Sequence, residues 1–116
     1  MIFRLLYWTC LLYTSVPLDL KLAGTSAEAV AAGIADYYRE GATVSVHALN
    51  EPLRENGLYS NALSGSDRTE LYMTVNAAGD QMMLVSLFNN LGKGSSGAAV
   101  QCMNLMLGMD ETEGLE

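Results

Sequence analysis

The amino-acid sequence predicts an α+β layer, a mainly antiparallel or mixed sheet with two helices, on three observations. Four short segments, Val16–Leu22, Thr43–Leu49, Arg68–Asn76 and Gln81–Phe88, carry the alternating or continuous apolar pattern of strands. Two longer stretches, 25–40 and 96–109, carry apolar residues at helical spacing behind Ser or Thr. In sequence these give strand, helix, strand, long loop, hairpin and helix, with neither an internal repeat nor a low-complexity tract.

In the first strand, Val16, Leu18, Leu20 and Leu22 share a face, and Pro17 near its start suggests an edge or an entry position. Gly24 ends it. Thr25 and Glu28 have the spacing of a capping box, worth about 1 kcal/mol. The helix that follows runs to Glu40, with Ala27, Val30, Ile34 and Tyr37 or Tyr38 inward and Gly41 as its stop. The loop 50–66 is longer than the usual connection, the length of a functional or partner-packed loop. Ala77-Ala78-Gly79-Asp80 joins the last two strands as a hairpin. Gln81–Phe88 is apolar on both faces, which predicts a central strand covered on both sides. The last helix, 96–109, is expected to bury Ala99, Cys102 or Met103, and Met106.

Composition narrows the function classes. The chain has 116 residues, a formal charge of −7, 50% hydrophobic and 16% charged residues. That length fits one domain, and the apolar balance predicts surface buried against something else. Six scattered basic residues (Arg4, Lys21, Arg39, Arg54, Arg68 and Lys93) argue against nucleic acid as a partner. Four carboxylates in 110–116 read as a solvated end. Cys10 and Cys102 stand far apart with no Cys/His cluster, so no metal site is expected and a reduced, cytoplasmic chain fits. Residues 1–15 are an atypical apolar start. They are too short for a transmembrane helix and have a poor signal-cleavage site, while Tyr7, Trp8, Leu11, Leu12 and Tyr13 would suit a buried strand.

The richest segment chemically is Asn89–Gly108, a glycine-rich turn running into an apolar helix. Between Asn90 and Gly97 lie three glycines, two serines and Lys93. Free N–H groups at Ser95–Ala98, with Lys93 ahead of them, would seat an anion. The same residues also suit a plain strand-to-helix connection with Ser95 or Ser96 as N-cap, since the spacing is neither a P-loop nor GxGxxG. His47, the single histidine, reads as an ordinary strand residue. Cys102 reads as a small packed hydrophobe, and the methionines as core filler or a subunit contact. No nucleophile–base spacing or carboxylate pair stands out, and no catalytic residue is assigned. Taken alone, the residues favour an interaction or dimerisation domain over a complete enzyme.

The segment NLGKGSSGAAVQCMNLMLG strongly resembles the C-terminal signature DNL(V/G)KGASGxAVQNMNLMxG of N-acetyl-gamma-glutamyl-phosphate reductases. VPLDLKLAGTSAEAV, the Tyr37-Tyr38 pair and VSVHALNEPLRENGLYSNALSGSDRTELYM extend the resemblance over about residues 16–116, close to the last third of such a protein. By beginning only near Val16, the resemblance implies a foreign or junction-derived start at 1–15, with 16–116 as the domain. It implies the C-terminal portion of an NADPH-dependent reductase of arginine biosynthesis, which converts an acyl phosphate to a semialdehyde. It also implies a glyceraldehyde-3-phosphate-dehydrogenase-like catalytic and dimerisation domain, a homo-oligomeric full-length protein and NADP as cofactor. In that family a cysteine attacks the acyl phosphate and a histidine handles protons. The nucleophile's Asn-Pro-Gly-Cys pattern and GxGxxG are both missing from this sequence, so neither role is carried to Cys10, Cys102 or His47. Asn90, Lys93, Gly94, Ser95, Gly97 and Gln101 match the signature, and the resemblance implies that they lie near the cofactor's nicotinamide and phosphate end. Asn89 and Asn90 are expected to brace the loop, and Gln101 and Asn104 to share one side of the helix. Inactivity in isolation follows from this reading. A stand-alone dimerisation module, or a secreted or tethered small protein led by residues 1–15, is the alternative.

Overall fold

The computed structural model describes residues 13–52 and 62–116. Residues 1–12, with Cys10 and most of the atypical start, and the middle of the loop at 53–61 lie outside the described residues. The elements are β1 (Tyr13–Asp19), α1 (Leu20–Ala23), α2 (Ala27–Tyr37), β2 (Val44–Leu49), β3 (Thr69–Val75), β4 (Gln81–Phe88), a π-helical turn at Gly92–Ser96, and α3 (Gly97–Leu107). One four-stranded sheet has the order β1-β4-β3-β2. β4 is antiparallel to both β1 and β3, and β2 runs parallel to β3. The fold is α+β with a mixed sheet.

β1 begins three residues earlier than the alternation predicts and ends at Asp19, so Tyr13, Thr14 and Ser15 of the atypical start pair with β4. Its end is set by polar chemistry. The Asp19 carboxylate accepts from Leu22 N at 2.8 Å, which caps the single turn α1, and Gly24 closes that turn at φ +64°. The turn rotates Leu20 into the core at 1% exposure and leaves Leu22 87% exposed, so the expected shared face breaks after Leu18. Among the described residues β1 is an edge strand, one of the two positions that Pro17 suggests.

The cap of α2 is Ser26, one residue beyond the predicted Thr25, with its Oγ accepting from Ala29 N at 3.2 Å. The helix also stops at Tyr37, short of Glu40, with Tyr38 rather than Gly41 as the capping residue. Tyr37 is exposed and meets the Tyr38 ring edge-on at 4.8 Å. Ala27, Val30 and Ile34 do face inward as their spacing requires.

β4 is central. Its two faces feed two cores. Met82 packs with Leu20, Ala27 and Met73 beneath α2. Val85 and Leu87 pack with Tyr72 and Leu63 on the opposite side. Cover is incomplete at Met83, which is 37% exposed. The hairpin is held by Asn76, whose Oδ1 accepts from Asp80 N and Gln81 N at 3.1 Å while Gly79 takes φ +74°.

The last helix departs most from expectation. Its buried residues are Gly97 and Asn104. Ala99, Cys102, Met103 and Met106 face outward, Met106 at 87% exposure. The side that α3 turns inward meets polar groups, so glycine and amides fit there where hydrocarbon would not.

Candidate functional site

The glycine-rich turn sits where β2 and β3 begin and β4 ends. Gly94 N donates to Asn89 O at 2.8 Å, Ser96 N to Leu91 O at 3.1 Å, and Gly97 N to Gly92 O. These wider i→i+5 bonds make a π-helical turn, a form that recurs at functional sites. They also engage the Ser96 and Gly97 N–H groups, so the anion seat expected at the helix start is not formed from them. Ser96 takes the N-cap position of α3, as one of the two expected candidates, but its side chain makes no capping bond. The Ser95 and Ser96 hydroxyls both donate back to Leu91 O.

Asp67 explains two of the glycines. Its Oδ1 lies against Gly97 and Gly92, where an added Cβ would overlap it, and Ser66 O closes on Gly92 as well. Asp67 Oδ2 accepts from Glu116 N at 3.0 Å, and Asp67 N donates to Glu116 O at 2.7 Å. One carboxylate therefore joins the start of β3, the π turn and the segment after α3.

Lys93 is half-buried. Its Nζ donates to Thr43 Oγ1 at 2.8 Å and to Gln101 Oε1. Gln101 Nε2 donates to Glu111 Oε2 at 2.7 Å, so the amide bridges an ammonium and a carboxylate with each end matched in polarity. Thr43 is buried, and its Oγ1 also receives Gln101 Nε2 at 3.4 Å. Among the described residues no group accepts the third Lys93 N–H. Asn104, 1% exposed, donates to Glu111 O and Glu113 O at 3.3 and 2.8 Å. Gln101 and Asn104 thus share one side of α3, as their spacing implies. Asn89 braces the turn by accepting from Leu91 N at 3.3 Å. Of the six signature residues, Lys93 and Gln101 meet directly, Gly97 is buried behind them, and Gly94 and Ser95 are exposed. A groove lined by Pro17, Asp19, Thr74, Gln81 and Met83 lies at the hairpin end of the sheet and contains none of these six.

A second cluster surrounds His47, which sequence reading treats as an ordinary strand residue. The β2–β3 register slips between Val46 and Leu49, a bulge that re-aims His47. Its Nδ1 lies 2.9 Å from Glu51 Oε1, its Nε2 3.6 Å from Glu70 Oε2, and its ring stacks on Tyr72 at 4.0 Å. Tyr72 Oη donates to Glu70 Oε2 at 2.6 Å. The second Glu51 oxygen accepts from Ala48 N at 2.9 Å. The bond with His47 first, and Ala48 N–H next, hold the Glu51 carboxyl below its ordinary pKa. The i,i+4 spacing of His47 and Glu51 was visible in the sequence; Glu70 and Tyr72 join them only through the parallel pairing. Cys102 is an exposed free thiol on the outer side of α3, not a packed one. Among the described residues no group of His, Cys, Asp and Glu could hold a metal ion, and no helix is long and apolar enough to cross a membrane.

No protein-family model matches the chain. Among curated proteins, the N-acetyl-gamma-glutamyl-phosphate reductase of Burkholderia orbicola is 41% identical over 96 residues, 81% of this chain and 31% of that protein. That of Burkholderia ambifaria is 42% identical over 97 residues, 82% and 31% of the two lengths. The N-acetyl-gamma-glutamyl-phosphate reductase 2 of Pseudomonas putida is 38% identical over 102 residues, 86% and 33%. Identity at this level over most of the chain agrees with the motif at 89–108: the curated homologues of this chain are N-acetyl-gamma-glutamyl-phosphate reductases, and it spans about 31% of their length.

Proposed function

We propose that this chain serves as the C-terminal α+β portion of an NADPH-dependent reductase of arginine biosynthesis that reduces an acyl phosphate to N-acetylglutamate semialdehyde with release of phosphate. The observation that carries this is the identity of about 40% to reductases of that name. The finer fold assignment, a glyceraldehyde-3-phosphate-dehydrogenase-like catalytic and dimerisation domain, belongs to the proposal, as do a cytoplasmic setting and a homo-oligomeric assembly. NADPH would supply the hydride and leave as NADP+. Asn90, Lys93, Gly94 and Ser95 would face it, while Gly97 and Gln101 hold Lys93 in place. The unmatched third N–H of Lys93 and the exposed Gly94 and Ser95 fit an anionic group at that edge.

The chain alone is expected to oxidise no NADPH in the presence of the acyl phosphate. Joined to the remaining part of a Burkholderia orbicola reductase it is expected to turn over, with Lys93→Ala raising KM for NADPH. Turnover by the 116 residues alone, or an unchanged KM in the Lys93 variant, would refute the proposal. A second reading, a dimerisation module without catalysis, is favoured by the exposed apolar side chains of α3.

A further inference from the structure

His47 is the single histidine of the chain, and the proposed function leaves it unused. Both of its ring nitrogens face carboxylates. Nδ1 lies 2.9 Å from Glu51 Oε1, in the turn that leaves β2, and Nε2 lies 3.6 Å from Glu70 Oε2 on β3. Nε2 is buried and, among the described residues, has no hydrogen-bond partner. The ring lies flat on Tyr72, with planes 9° apart, and the Tyr72 hydroxyl donates to the same Glu70 oxygen.

A neutral imidazole does not satisfy this arrangement. Each tautomer turns one lone pair toward a carboxylate oxygen, toward Glu70 when Nδ1 carries the hydrogen and toward Glu51 when Nε2 does. The imidazolium presents an N–H to both, and a positive ring is further favoured over the face of a phenol. Among the described residues the titratable groups the ring meets are Glu51, Glu70 and Tyr72. Arg68 and Lys93 are engaged elsewhere, at Ala42 O and at Thr43 and Gln101.

The proton's effect reaches the backbone through Glu51. The second oxygen of that carboxylate accepts from Ala48 N at 2.9 Å, and Glu51 N donates to Ala48 O at 3.0 Å. Inside this turn Asn50 takes φ +58°, a left-handed conformation uncommon outside glycine. Its N donates to Met73 O at 2.8 Å and its Oδ1 accepts from Val75 N at 2.9 Å. One turn therefore carries both the partner of His47 and two links to β3.

We infer that His47 is a proton-operated clasp, which holds the turn 48–51 against β3 while its imidazole is protonated and releases it when that proton leaves. The inference concerns the sheet and stands apart from the proposed reaction. The test follows hydrogen exchange at the Asn50 and Val75 amides in the full 116-residue chain from about pH 5 to about pH 9, which spans the charge change of imidazole. Each rate is divided by the intrinsic rate at that pH. The His47 C2–H resonance is recorded alongside, unambiguous in a chain with one histidine. Protection of both amides should fall by about tenfold or more as pH rises, in step with that resonance, while the β1–β4 ladder keeps its protection. His47→Gln, which cannot titrate, should show no step, and Glu70→Gln, which keeps an acceptor for Tyr72, should show a smaller one. Protection that stays constant or rises with pH would overturn the inference. So would a step that does not track the resonance, persists in His47→Gln, or is undiminished in Glu70→Gln.

Discussion

Gly97 allows one substitution to be tested with opposite signs at two places. Replacing glycine by alanine inside a helix ordinarily gains about 1 kcal/mol, from backbone entropy and propensity. At Gly33 in α2 an added Cβ meets nothing within 4 Å, so Gly33→Ala should stabilise the chain by about 0.5–1 kcal/mol. At Gly97 the backbone is equally helical, φ −62° and ψ −41°, so alanine suffers no torsional strain there. Its Cβ would, however, overlap the Asp67 carboxylate and lie 2.8 Å from the Gly92 carbonyl carbon. The carboxylate can move only by releasing Glu116 N, and the Gly92 backbone has no rotamer to adopt. Overpacking costs about 1–3 kcal/mol, and a lost hydrogen bond to a charged group about 1.5–3 kcal/mol. Set against the propensity gain of about 1 kcal/mol, the two costs together mean that Gly97→Ala should lose about 1.5–5 kcal/mol. With a urea slope of about 1–3 kcal/mol/M for a small protein, the midpoint should fall by roughly 1 M or more, while Gly33→Ala raises it. Adding Asp67→Ala should make the Gly97 change cheaper, with a coupling of about 0.5–3 kcal/mol. Equal stabilisation by both alanines would refute the packing argument.

Lys93→Met should cost about 1–3 kcal/mol, because it leaves the Gln101 carbonyl without its donor and the buried Thr43 hydroxyl with only the longer bond from Gln101 Nε2 at 3.4 Å; an unchanged denaturation midpoint would contradict the network. Asn104→Leu removes the donor to two carbonyls and should expose the segment after α3, read as faster hydrogen exchange across 109–116 with α2 unaffected. Glu51 has a folded pKa below its unfolded one, so the stability it contributes is present above the ordinary carboxylate range and is lost as pH falls through the folded value. Glu51→Gln should accordingly flatten the loss of stability on acidification below about pH 4.3, and an unaltered acid limb of the midpoint-against-pH curve would refute it.

The strands were legible because burial on a sheet is decided residue by residue with period two, and β2, β3 and β4 fall within one or two residues of their predicted ends. The helix signals were weaker where a side chain competes for the backbone. Asp19 captures Leu22 N and turns an apparent strand into α1; Ser26 takes the cap that Thr25 could equally have offered. The orientation of α3 was invisible for a different reason. Helical periodicity assumes that the apolar side faces the chain's own core, whereas here the surface awaiting the helix is Thr43, Asp67 and Glu111. The signature residues were legible as a motif, and their mutual contact, Lys93 to Gln101, follows from eight residues of helical progression. Thr43, Asp67 and Glu70 were missed because only tertiary pairing brings them near.

The position of β4 has a consequence for how the chain comes into being. Among the described residues β4 is the last strand made, yet it is the sole sheet partner of β1, the earliest of them. A ribosome adding roughly 5–20 residues per second needs about 3–14 s to pass from Asp19 to Phe88. Throughout that interval β1 waits for the only described strand that pairs with it. Pairings that span so much sequence also form slowly, which makes the nascent stage, rather than the finished sheet, the period when chaperone capture matters most.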